Sequence, residues 1–240
     1  MFPIYRDTVQ IPSKETMTSQ KNAVKEGHAA LSEYESKQLL KRYNIPITEE
    51  IVVTTIEELE EAVKRIGFPL VEKGCSAEIT HKTEMGLIKI DIRTIEEARD
   101  AFQEIQRKMP PQDKSVLVQE MIKGQRELVI GMTRDPQFGP CVMFGLGGIF
   151  TEILRDVSFR VAPLEERDAL NLMSDIKGEK ILDAVRGMKA IDRNELARLL
   201  MAVGRIGLEN EEIQEIDINP LKIDNNGKLT AVDALVVISK

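Results

Sequence analysis

Two carboxylates and an amide oxygen are spaced to meet near the end of the chain. Glu215, Asp217 and Asn219 alternate with Ile216 and Ile218 in EIDINP, and Asp233 follows in AVDA. Alternate residues of a strand share a face, so the polar three point away from the two isoleucines. A turn centred near Asn226 sets Asn219 across a hairpin from Asp233. Hard oxygens of this kind suit Mg²⁺, which takes one or two carboxylates together with phosphate oxygens. The same residues would also serve as the solvated face of an edge hairpin. Lys73 closes an apolar run after Leu70 and Val71, where an ammonium can enter a cleft and meet a phosphate. Gly145-Leu146-Gly147-Gly148 permits positive φ and close backbone approach to an oxyanion, with Arg155 and Arg160 nearby. It is neither a Walker A loop nor the dinucleotide fingerprint, and a tight structural turn would explain it equally.

Other candidates carry weaker signals. Glu120 ends a strand where the chain would cross between two lobes. Its carboxylate could take an amine or ribose hydroxyls, while Met121 or Ile122 packs on a base. Glu127 begins the next strand and could serve a ribose. His81 sits in a polar loop, THKTEMG, between two strands. An imidazole there can accept a phosphoryl group; no second His or Cys stands at ligand spacing for a metal. Each of these residues could also be an ordinary surface side chain.

The elements that must position them follow from caps and periodicity. Residues 1–27 lack a stable period and read as an irregular arm. Ser32 with Glu35 fits a capping box, opening a helix to about residue 43. Between 48 and 121 the order is β-α-β-β-α-β, with strands near 51–53, 70–73, 87–92 and 116–121. Its helices are capped by Thr55 with Glu58 and by Thr94 with Glu97. Two helices on one face of a small sheet make a lobe. The remainder reads as a second lobe. Strands are expected at 128–132, 141–144 and 151–154, then helices at 164–173, 179–185 and 193–205. A closing hairpin at 213–218 and 229–238 turns at Asn225-Asn226-Gly227. The fold class is α+β.

The 240 residues carry a net charge of -7, which argues against nucleic acid as a partner. Cys75 and Cys141 form no CxxC and read as reduced core residues. No stretch approaches the length of a membrane span, and no signal peptide is seen, so a cytoplasmic location is expected.

Taken together, LSEYESKQLLKRYNIPI, GFPLVEKGCSAEITHKTEMG, VLVQEMIKGQRELVIGMTRDPQFGP, FGLGGIFTE and EIDINPLKI…AVDA resemble the ATP-grasp family. The similarity is greatest to the beta subunits of ADP-forming acyl-CoA synthetases, also called acetate–CoA ligases, relatives of the succinyl-CoA synthetase beta subunit. The resemblance implies an ATP-grasp fold, two α/β lobes clasping a nucleotide. Residues 28–47 would add a helix on the large lobe, 48–121 form the small lobe, and 122–240 the large lobe. It implies ATP/ADP and Mg²⁺ as cofactors and phosphoryl transfer through His81. Lys73, Gly147 and Gly148 would lie near the phosphates, and Glu120, Met121, Ile122 and Glu127 around the adenosine. Asp217, Asn219 and Asp233 would hold the metal. A separate CoA-binding alpha subunit, in an α2β2 assembly, would handle CoA, phosphate and a small acid. Two other readings stand beside this one: a carboxylate–amine ligase of the same fold, and a non-catalytic nucleotide-binding subunit.

Overall fold

The computed structural model describes residues 28–77, 82, 85–148 and 156–239. The His81 loop candidate, the 151–154 strand, Arg155 and the 1–27 arm lie outside the described residues.

Two sheets organise the chain. The smaller runs β2 (Glu50–Val53), β5 (Val116–Glu120), β3 (Leu70–Gly74), β4 (Ile88–Ile92), all antiparallel. Helices α2 (Ile56–Ile66) and α3 (Ile95–Lys108) share one core with it, built on Leu59, Val63, Phe102, Ile105, Leu70 and Val118. The Thr55 hydroxyl accepts from the Glu58 N–H while the Glu58 carboxylate accepts from the Thr55 N–H, so the α2 capping box forms. The Thr94 hydroxyl caps α3 by accepting from the Glu97 N–H.

One residue of this lobe breaks the apolar pattern. Glu72, on β3 opposite Val118, has no exposed surface, and neither carboxylate oxygen has a partner among the described residues. Burial pushes its pKa up from 4.5 to about 8. Between those values the folded chain holds a proton that the unfolded chain releases, so stability falls as pH rises through the window. Glu72→Leu is expected to raise the unfolding free energy by about 1–3 kcal/mol near neutral pH. The gain should be larger at pH 9 than at pH 6, read by denaturant unfolding at each pH.

The larger sheet has the order β1 (His28–Ala30), β11 (Ala234–Ser239), β9 (Ile213–Ile223), β6 (Arg126–Asp135), β7 (Gly139–Leu146), β8 (Val157–Val161). Strand β10 (Leu229–Ala231) pairs with the distal part of β9. Helices α1 (Glu33–Arg42), α4 (Glu166–Asp175) and α5 (Arg193–Glu209) bury Leu40, Leu172, Leu200 and Val203 against Ile130, Phe144, Ile216 and Ile218. The Ser32 capping box opens α1, and the Asp192 carboxylate caps α5 by accepting from the Asn194 and Glu195 N–H groups.

Four elements differ from the sequence expectation, the first being strand β1, which precedes the helix expected over 28–47. Strand β8 was not anticipated. The expected helix at 179–185 is only a short 3₁₀ turn, Glu179–Leu182. The chain then wraps the buried Arg126, whose guanidinium donates to the carbonyls of Ile181, Asp183, Lys189 and Asp224. Finally, the terminal hairpin is interrupted at Val232-Asp233 and bulged near Asn219, where the β6–β9 register shifts between Leu128 and Ile130.

Candidate active site

The terminal hairpin has the register that a turn at Asn226 implies. Ile223 faces Leu229, Ile218 faces Ala234 and Asp217 faces Leu235. The Asn219 N–H donates to the Asp233 carbonyl at 3.2 Å. Ile216 and Ile218 are buried in the large core while Asp217 and Asn219 keep partial exposure, so the polar residues take the other face.

The small lobe meets this hairpin through Lys73. The face of its sheet away from α2 and α3 carries Lys73, Leu117 and Gln119, all buried. Helix α1 and the Val232-Asp233 break cover that face. The Lys73 Nζ donates to Glu33 Oε1 at 2.7 Å and to the Val232 carbonyl at 3.2 Å, and lies 3.5 Å from Asp233 Oδ2. Lys37 Nζ donates to Gln119 Oε1 at 2.8 Å and to the same carbonyl at 3.3 Å, and it pairs with Glu50. Lys82 Nζ donates to Glu33 Oε2 at 2.7 Å. One helix thus ties both lobes together through ion pairs among groups that are almost wholly buried.

Electrostatics set the charge state of this cluster. Burial works against the charge of Lys73, but Asp233 and Glu33 outweigh it and hold the ammonium protonated. Burial would also raise the Glu33 pKa, yet Lys73, Lys37 and Lys82 together hold the carboxyl well below the usual range. Its place in the first turn of α1 favours the same charge. Asp217 behaves differently. Burial, and then the neighbouring Asp233 charge, push its pKa up from 3.8 to about 6, and no ion pair or hydrogen bond among the described residues engages its carboxylate. Asp233 is raised as well, by desolvation that exceeds the pull of Lys73. The Asp217 carboxylate, unpaired among the described residues, with Asp233 and the Asn219 amide on the same hairpin, makes a hard-oxygen donor set that fits a divalent cation.

The glycine segment and Glu127 come together. The Gly147 N–H donates to the Glu127 carbonyl at 2.8 Å, and Lys222 Nζ lies 3.3 Å from Glu127 Oε1. A Cβ on Gly147 would stand 2.6 Å from the Leu128 carbonyl oxygen. Backbone cannot retreat as a side chain can, so Gly147→Ala is expected to cost about 1–3 kcal/mol of stability, read as a fall in denaturation midpoint. Gly148 has φ +61°, and a Cβ there would stand 2.4 Å from Glu127 Oε2. Arg160 is committed elsewhere, to Asp175.

At the lobe crossing, the Glu120 Oε1 accepts from the Glu49 N–H at 2.9 Å. The N–H groups of Glu120 and Met121 are bonded to the carbonyls of Glu49 and Pro69. Those two amides and one oxygen of the Glu120 carboxylate are therefore taken by the protein. A groove of about 600 Å³ lies elsewhere, lined by residues such as Tyr43, Leu199, Met201, Ala202 and Arg205; none of the candidate residues lines it. Cys75 and Cys141 are buried free thiols whose pKa values burial pushes up, which makes them poor nucleophiles. No described helix is long and apolar enough to cross a membrane.

Sequence reasoning missed Glu33, Lys37, Lys82 and Glu50. Glu33 and Lys37 stand four apart on a helix, the spacing of an ordinary surface pair, and nothing local marks them as buried.

The family model described as an ATP-grasp domain matches residues 22–238. The chain belongs to the ATP-grasp family. It is 45% identical over 213 residues to the acetate–CoA ligase [ADP-forming] I subunit beta of Pyrococcus furiosus, covering 87% of this chain and 91% of that one. Among solved structures it resembles the Ca. Korarchaeum cryptofilum dinucleotide forming acetyl-coenzyme A synthetase 1 in complex with coenzyme A, Ca-AMPCP and HgCl+. That match has a TM-score of 0.82 and 41% identity, and covers 94% of this chain and 100% of that chain. A second structure of the same enzyme holds coenzyme A and Mg-AMPPCP, with its phosphohistidine segment pointing towards the nucleotide binding site. It matches with a TM-score of 0.77 and 42% identity over 91% of this chain and 97% of that one. Within the ATP-grasp family, the chain falls among the beta subunits of ADP-forming acetate–CoA ligases.

Proposed function

We propose that this beta subunit supplies the nucleotide half of the reaction acyl-CoA + ADP + phosphate ⇌ carboxylic acid + CoA + ATP. It would work with a separate CoA-binding alpha subunit in an α2β2 assembly in the cytoplasm. The observation that carries the reading is the meeting of Lys73, from the small lobe, with Asp233, from the metal-type hairpin of the large lobe. A phosphate chain laid across that junction finds a buried cation on one side and a carboxylate pair on the other. Asp217, Asn219 and Asp233 fit Mg²⁺, which when bound would neutralise phosphate charge. Lys73 would offset the charge of the transferring group. Glu127, against Gly147 and Gly148, would border the nucleotide, with Glu120, Met121 and Ile122 at the crossing. A histidine on the partner would take the phosphoryl group from the acyl phosphate, and His81 would accept it and pass it to ADP.

The test is reconstitution. The chain mixed with its alpha subunit should make ATP from acetyl-CoA, phosphate and ADP, and neither subunit alone should do so. ATP consumption driven by an amine and a carboxylate, without CoA or a partner, would point instead to a carboxylate–amine ligase.

A further inference from the structure

Glu33 stands where a nucleotide reading of the cleft leaves least room for a carboxylate. Its side chain is 1% exposed, yet both oxygens are occupied. Oε1 lies 2.7 Å from Lys73 Nζ and 3.0 Å from Lys37 Nζ, and Oε2 lies 2.7 Å from Lys82 Nζ. Lys37 is also matched by Glu50 and Gln119, deep beneath α1. Lys73 and Lys82 are the two that reach toward the cleft, Lys73 beside Asp233 and Lys82 with 14% of its side chain exposed. Two lysines clasping two oxygens of one anion is the arrangement a terminal phosphate would seek. The carboxylate already holds it, and it is fixed to α1 rather than to either sheet.

Resting on the nucleotide-binding reading, we propose that Glu33 is a positioning residue and built-in competitor of the nucleotide's terminal phosphate for Lys73 and Lys82. It holds both ammonium groups in place while the cleft is empty. It also weakens the pull on the phosphate, because an entering anion meets lysines already neutralised. Binding is therefore an exchange of one anion for another. Its gain is the difference between two ion pairs rather than the whole of one. Without the competitor, the nucleotide becomes the main anion available to those lysines.

The experiment is calorimetric titration of ADP with Mg²⁺ into the assembled enzyme, together with steady-state kinetics, for wild type, Glu33→Gln and Glu33→Asp. Glu33→Gln keeps the shape and removes the charge; it is expected to bind ADP about tenfold more tightly. Its KM for ADP should fall while the KM for acetyl-CoA stays where it was. Glu33→Asp keeps the charge that the buried lysines need, so its fold is protected if the glutamine variant fails to assemble. Its shorter arm cannot reach both Lys73 and Lys82, and a smaller tightening is expected. A merely structural Glu33 would loosen the cleft and weaken ADP binding. Unchanged or weaker ADP binding in the variants that assemble overturns the proposal. If wild type binds no ADP with Mg²⁺ present, the nucleotide reading itself fails and takes this inference with it.

Discussion

Lys73→Met is expected to lower kcat of the assembled enzyme by roughly a hundredfold to a thousandfold, the usual loss on removing one preorganised charge from a transferring group. The side chain is 5% exposed and sits between Glu33 and Asp233. Methionine fills the same volume without the ammonium, so the loss reports charge rather than a cavity. The change also takes from the buried Glu33 one of its three lysine partners. Breaking a buried pair in this way costs about 3–5 kcal/mol, so a thermal denaturation scan must accompany the kinetics. Lys73→Arg separates the two effects. It restores the charge and most of the stability, but its planar guanidinium cannot reproduce the point contacts to Glu33 Oε1 and the Val232 carbonyl, so activity should recover only in part.

His81→Ala is expected to have the largest effect, reducing acyl-CoA-dependent ATP synthesis by more than about a thousandfold. In the proposed reaction the acyl phosphate would form on the partner subunit while ADP waits on this one, so a carrier must hold the phosphoryl group in between. An imidazole ring nitrogen can take it as a nucleophile and release it to the ADP oxygen. Alanine offers no such atom, and water cannot substitute without discharging the phosphoryl group as phosphate. ADP binding with Mg²⁺ should survive, because Lys73 and the Asp217–Asp233 pair are untouched. A variant that lost both activities would instead assign His81 to nucleotide binding.

Much of the site was legible because its determinants are local. Turn chemistry at Asn225-Asn226-Gly227 fixes the hairpin register, and period-two alternation sends Asp217 to the face opposite Ile216 and Ile218. That is why Asn219 and Asp233 meet as expected. The caps at Ser32, Thr55 and Thr94 placed three helices for the same reason. The interlobe cluster was not legible. Glu33 and Lys37 are an ordinary helix pair until the small sheet closes over them, and their burial depends on Lys73 and Gln119, some 40 and 82 positions away from their respective partners. Strand β8 escaped because its alternation misleads: Ser158 turns inward to donate to the Leu172 carbonyl, while Val161 is 42% exposed. Glu72 is the sharpest case, an acidic residue within a buried strand that neither propensity nor spacing identifies as a carboxyl without a partner among the described residues.

The measurement closest to the central claim is covalent labelling. The assembled enzyme is incubated with γ-labelled ATP and Mg²⁺, quenched in base, and the peptides of this chain are mapped. A phosphoryl group on a histidine nitrogen is stable in base and lost in acid. One acid-labile, base-stable label is expected on the peptide containing His81, chased off by ADP and absent from His81→Ala. No label on this chain, or an equal label in His81→Ala, would contradict phosphoryl transfer through His81.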